Sequence, residues 1–290
     1  MIRWVWFGFF FFAFTSVKAQ KPSNAYRLNW LQNETSRAEI TSVDLLTGFN
    51  SRGYNNQPAL KENILYLSSS WKEKSGDATN IIALDLSNQE IRMITQTPDQ
   101  EFSPFPQGER LFFIRLDPET GFQQLWKLEG KQQLEKVLPE SNVAYFMPIN
   151  DQRMAAILIE DQTLGLYMIN LETYEKKLIS RDVGRSLALS QNNILYFVHK
   201  YSTHSWYIKS FDPLTTQTRI ICNTIKGSED IFFSQDDYFW MAKDSRIYRI
   251  SLEEALGNNW KNIFDLHEYG LNNIQRLCVI DDNNLIFINQ

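Results

Sequence analysis

A short apolar motif recurs along the chain at near-constant intervals, and this period constrains the fold more than any other feature. Asn63-Ile-Leu-Tyr-Leu-Ser-Ser69 returns as Asn193-Ile-Leu-Tyr-Phe-Val-His199 and as Asn284-Leu-Ile-Phe-Ile-Asn289, with looser copies at 110–115, 153–158 and 237–242. With Ile64, Leu111, Met154, Ile194, Tyr238 and Leu285 as equivalent points, the spacings are 47, 43, 40, 44 and 47 residues. Each copy is followed by a second alternating strand, such as Ile82-Ala-Leu-Asp-Leu86 or Tyr167-Met-Ile-Asn-Leu171, and by a third, such as Ile91-Arg-Met-Ile94. The fifth copy reaches its third strand at 262–264 after a short helical excursion over 252–256. Turn residues separate the strands, among them Asp117-Pro-Glu-Thr-Gly121 and Asp281-Asp282-Asn283-Asn284. With the less polar run upstream of each motif, the unit has four strands. Four short strands every 40 to 47 residues are the mark of a β-propeller blade, which must stack on neighbours to bury its two faces.

The chain is therefore read as all-β, a six-bladed β-propeller. Its sixth copy ends at Gln290 with only two strands, and the missing pair lies at the other end of the chain. Tyr26-Arg-Leu-Asn-Trp30 matches Tyr248-Arg-Ile-Ser-Leu252, and Glu39-Ile-Thr-Ser-Val43 supplies the fourth strand. N- and C-terminal strands sharing the last blade would tie the ring shut and remove its open edges. A β-sandwich of equal strand count has no reason to repeat at this period.

Residues 1–19 carry a basic tip at Arg3, an apolar block over 4–14, and small residues at Val17 and Ala19. This is the pattern of a secretory signal cut after Ala19, so 20–290 is expected to form one domain in the periplasm or secreted space. An uncleaved N-terminal anchor is the competing reading, although the block is short of the roughly 20 residues a span needs. No cysteine sits near the cut, which argues against a lipid anchor. Loss of Arg3 and Lys18 leaves 27 basic against 34 acidic residues. An acidic chain without a basic run offers nothing to nucleic-acid phosphates. Beyond the signal no apolar stretch is long enough to be a transmembrane segment. Cys222 and Cys278 both lie in strand-like apolar runs and read as two buried thiols, a disulfide being the alternative.

Tyr54-Asn-Asn-Gln-Pro-Ala-Leu60 leading into the first motif, and Asp99-Gln-Glu-Phe-Ser-Pro-Phe-Pro-Gln-Gly-Glu-Arg-Leu-Phe-Phe-Ile-Arg115, resemble the repeats of TolB-type propellers, WD-like repeats of exported bacterial proteins. The resemblance spans the mature chain in period and the first two blades in residues. Of the usual Ser-Pro-Asp-Gly-Lys turn only Gly108 remains; elsewhere the hairpins carry Glu62-Asn63, Asp151-Gln152, Asn192-Asn193 and Asp236-Asp237. The resemblance implies an envelope protein that receives a partner's peptide or domain at the propeller funnel.

Chemistry is sparse. The three histidines, His199, His204 and His267, lack a third ligand at metal-binding spacing, and no nucleophile elbow, phosphate loop or Cys-x-x-Cys occurs. No catalytic residue, metal or cofactor is therefore expected. The inner strands of the blades are expected to begin at 52–54, 100–102, 143–145, 184–186, 228–230 and 272–274. These starts supply Arg52, Tyr54, Glu101, Phe102, Tyr145, Arg185, Glu229, Asp230 and Asn272, with Asn56 just beyond. Arginine and aromatic side chains are enriched at interface hot spots. A non-enzymatic platform docking an envelope or secreted protein is the leading reading. A carbohydrate-active or other hydrolytic propeller, using Glu101 with Glu229 or Asp230, is the alternative. A purely structural spacer is the third.

Overall fold

The computed structural model describes residues 20–32, 38–130, 133–139, 141–161 and 163–290. These form six antiparallel sheets of four strands each, with little helix. Five blades are built from consecutive strands in chain order. Their first strands are Asn55–Lys61, Glu101–Gln107, Val143–Pro148, Val183–Leu189 and Ile231–Phe233. Blade 6 pairs the C-terminal Ile274–Asp281 and Asn284–Asn289 with the N-terminal Asn24–Gln32 and Ala38–Leu45. The two ends meet in register, Tyr26 opposite Phe287 with their rings stacked at 5.5 Å. The expected closure is present.

The second strand of each blade is buried on both faces, so its sequence is a continuous apolar run rather than an alternating one. Phe113, Phe197, Phe239 and Phe287 are all fully buried. Successive residues point to opposite faces: Phe112 packs toward blade 3 with Phe146 and Met154, and Phe113 toward blade 1 with Ile81. Among the described residues the apolar core divides into six clusters, one at each junction between neighbouring blades. Each fully buried aromatic or aliphatic side chain contributes about 1.5–3 kcal/mol. The smallest cluster joins blades 1 and 2, and polar contacts supplement it there. Asn80 and Thr97 exchange hydrogen bonds, and the Glu101 amide donates to the Thr79 carbonyl.

The first hairpin of a blade needs one residue at positive φ. Glu62 (φ 53°), Gly108 (57°), Asn193 (60°) and Asp237 (62°) fill that role in blades 1, 2, 4 and 5. The turn conformation survives although the turn sequence drifts. In blade 5 the helical excursion is a single 3-10 turn at Ala255–Gly257, followed by Lys261–Asp265 as the outer strand. Both cysteines are free and buried, Cys222 between blades 4 and 5 and Cys278 between blades 6 and 1. Burial pushes each thiol up to about 12. The expected signal at 1–19 lies outside the described residues. Among those described, no helix is long and apolar enough to cross a membrane.

Candidate functional site: an axial cavity with a ring of six side chains at its inner end

A cavity of about 1640 Å³ is lined by the first strands of the blades and, on the side of blades 5 and 6, by Trp30, Tyr238, Trp240 and Arg249 from neighbouring strands. Five of the first strands are irregular near their start. The register against the second strand shifts between Asn56 and Ala59, Phe102 and Phe105, Val143 and Tyr145, Val183 and Leu187, and Gln275 and Leu277. Such bulges bend a strand and re-aim one side chain. In blades 1, 2 and 6 the bulge residue is Gln57, Ser103 or Arg276, each at positive φ (57°, 54° and 49°). A non-glycine residue held there costs about 1–3 kcal/mol, and such conformations cluster at functional sites.

Each blade places one cavity-lining side chain at this level: Gln57, Ser103, Tyr145, Arg185 and Arg276 in the irregular stretches, and Asp230 immediately before the regular first strand of blade 5. No residue preceding this ring on any first strand lines the cavity, so the ring is its inner limit. Above it the walls are apolar, with Leu60, Phe105, Phe146, Leu187, Phe232 and Leu277. The rim is formed by the first hairpins and carries Glu62, Asp236, Asp281 and Asp282.

Charges at the ring are unevenly matched. Arg185 Nε donates to Asp230 Oδ1 at 2.8 Å and its Nη2 to Oδ2, while Nη2 also reaches Gln275 Oε1 at 2.9 Å. Burial opposes the Arg185 charge, but the hydrogen bonds and charge of Asp230 outweigh it and hold the guanidinium above its ordinary value. Arg276 stands 4.0 Å from Asp230 and has no side-chain hydrogen bond among the described residues. Gln57 Oε1 accepts from Ser68 Oγ at 2.8 Å and from the Ser103 amide at 2.9 Å, tying blade 1 to blade 2. Just below the ring, burial raises the Tyr54 phenol to about 12 despite the opposing charges of Arg276 and Arg185.

Of the residues picked out by sequence, Tyr145, Arg185 and Asp230 line the cavity. Tyr54 lies beneath, its ring edge-on to Phe102 at 6.5 Å. Glu101 is 0% exposed and holds Arg115, whose Nε and Nη2 donate to Oε1 at 3.0 and 2.6 Å. Glu229 pairs with Lys200. Asn56 is buried, with Nδ2 donating to Ser23 Oγ at 3.4 Å. Arg52 lies in an exposed turn, and Asn272 is exposed beside His267. Sequence reasoning missed Gln57, Ser103 and Arg276. The available signal was position: all six ring residues fall seven to nine residues upstream of the repeat's equivalent points. Among the described residues no group of three or more His, Cys, Asp or Glu side chains is placed to hold a metal ion.

No protein-family profile and no curated protein sequence matches this chain. Solved structures do. A structure assigned as TolB from Agrobacterium tumefaciens superposes with a TM-score of 0.62 at 12% identity, over 93% of this chain and 98% of that one. TolB from Acinetobacter baumannii gives 0.59 at 13% identity over 93% of this chain, which spans 64% of the longer relative. The fold is a TolB-like propeller. An oligogalacturonate lyase in complex with manganese shares it less closely, with a TM-score of 0.52 at 13% identity over 90% of this chain and 82% of that one.

Proposed function

We propose that this TolB-like propeller is an exported, non-enzymatic docking platform that receives a segment of an envelope or secreted protein in its axial cavity. The observation that carries this reading is the disposition of charge around an apolar funnel. The acids near the inner end are already held, Asp230 by Arg185 and Glu101 by Arg115. What faces a ligand at that inner end is Tyr145, the amide of Gln57, Arg276 and the apolar wall beside them. These are side chains that bind rather than a pair of free carboxylates flanking a scissile bond. The secretory pattern of residues 1–19 supports placement in the periplasm or secreted space.

The reading is tested by affinity capture from the native envelope with mature protein carrying Tyr145→Ala and Arg185→Ala together. A Leu178→Ser protein serves as the outer-strand control. The docking reading predicts that the cavity variant loses a stoichiometric protein partner that wild type and the control retain. Unchanged capture by the cavity variant would overturn it. The hydrolytic alternative keeps its own test, since activity of wild type on a glycan panel that is abolished by Glu101→Gln in a folded protein would favour it.

A further inference from the structure

The inner end of the cavity holds a cation with no side-chain hydrogen-bond partner among the described residues. Arg276 is only 16% exposed at its side chain, and the acid paired with it at 4.0 Å, Asp230, already has both oxygens engaged by Arg185. A guanidinium offers five N–H donors, and a planar carboxylate accepts two of them in parallel. The backbone at Arg276 is held at φ 49°, so the fold maintains an unfavourable conformation where it presents this side chain.

Three further features define what could reach it. The lining stops at the ring, so a chain entering from the hairpin side meets Arg276 at the inner limit of the cavity. The walls between are apolar. The rim is acidic, and it stands five to six residues along the blade 6 strand from Arg276, at Asp281 and Asp282, about 17–20 Å by strand rise. At about 1640 Å³ the space also exceeds the roughly 300–1,000 Å³ usual for small-molecule pockets.

We infer that the cavity is a receptor for the free C-terminal end of a polypeptide: its terminal carboxylate on Arg276, its last residues apolar, and its basic residues about five or six positions upstream, against Glu62, Asp236, Asp281 and Asp282. The inference rests on the docking reading above. It assigns each zone of the cavity a matching part of the ligand. Tyr54, kept neutral by burial, stands close enough to feel the charge of Arg276 and completes the polar surroundings of that end.

The probes are two display libraries of random heptapeptides, one with free C-termini and one with the same peptides flanked on both sides, selected on the mature protein. The best binder is then synthesised as the free acid and as the C-terminal amide. The inference predicts enrichment from the free-terminus library alone, with apolar terminal residues and Lys or Arg upstream. It predicts binding of the amide at least tenfold weaker than of the acid. Arg276→Gln should erase most of the acid–amide difference, and Arg276→Lys should restore part of it. Equal binding of acid and amide, or equal enrichment of flanked peptides sensitive to Tyr145→Ala, would overturn the carboxylate receptor and leave docking intact. No cavity-dependent binder from either library would count against both. If Arg276→Gln fails to fold, the acid–amide comparison on wild type decides.

Discussion

At the scale of single residues, the same side-chain type serves different ends according to what faces it. Glu101 looked like a tunnel acid because it begins an inner strand, yet it is a structural ion. Its partner Arg115 sits directly opposite on the second strand, stacked 5.0 Å over Trp126 and itself 13% exposed. Glu101→Ala removes both hydrogen bonds to that guanidinium and leaves only Asp99, 3.7 Å from Nε, as its counter-ion, and should destabilise the protein by about 3 kcal/mol in chemical denaturation. A loss below about 1 kcal/mol would show the pair to be incidental. Tyr54 yields a pH-dependent prediction. Its phenol titrates near 12 when folded, against about 10 in an unfolded chain. Between those values the folded state holds the extra proton, so its contribution to stability is intact below pH 10 and falls as pH rises toward 12. Tyr54→Phe should remove one of the late ionisations seen by ultraviolet absorbance, Tyr196 being another. An unchanged late phase would contradict the burial argument. Glu101 was legible as an acid at the right position. Its role was not, because pairing with Arg115 depends on a strand register that exists only once the blade is folded.

At the scale of elements, the strands were legible because burial on two faces writes continuous apolar runs into the second strand of every blade. Tyr66, Phe112, Tyr196, Phe239 and Phe287 mark that strand at near-constant spacing, and all but half-buried Tyr66 are buried. Phe287→Ala strikes the junction of blades 5 and 6 and the pairing of the two chain ends together. It should cost about 3–5 kcal/mol, read as a lowered denaturation midpoint. The bulges were not legible, because a one-residue insertion in a strand leaves no compositional trace when its residue is Gln, Ser or Arg. The expected inner-strand starts lie within one residue of the observed ones, but the bulges place ring side chains one to three residues further along, which hid Gln57, Ser103 and Arg276. Ser103 has φ 54° and no side-chain hydrogen bond among the described residues. Ser103→Gly should therefore leave stability unchanged or raise it by up to about 1 kcal/mol. A clear loss of stability would mean that the hydroxyl has a role that its φ does not reveal.

At the scale of the whole molecule, ring closure is what makes the cavity. Six junctions, each with its own apolar cluster, hold six first strands around one axis, and blade 6 completes the circle only by joining strands from opposite ends of the chain. The architecture was readable from a period of 40 to 47 residues and from the unfinished last copy. The zoning of the cavity into acidic rim, apolar wall and arginine end was not, since its members are scattered across the repeats and converge only at the axis. The central claim is that this axis is where a partner docks. Site-specific photocrosslinking in the native envelope tests it most directly, with a photoreactive residue at Gln235 on the rim and, separately, at Leu178 on an exposed outer strand. The account predicts one discrete protein adduct from Gln235 and none from Leu178; an adduct from Leu178 with none from Gln235 would contradict it.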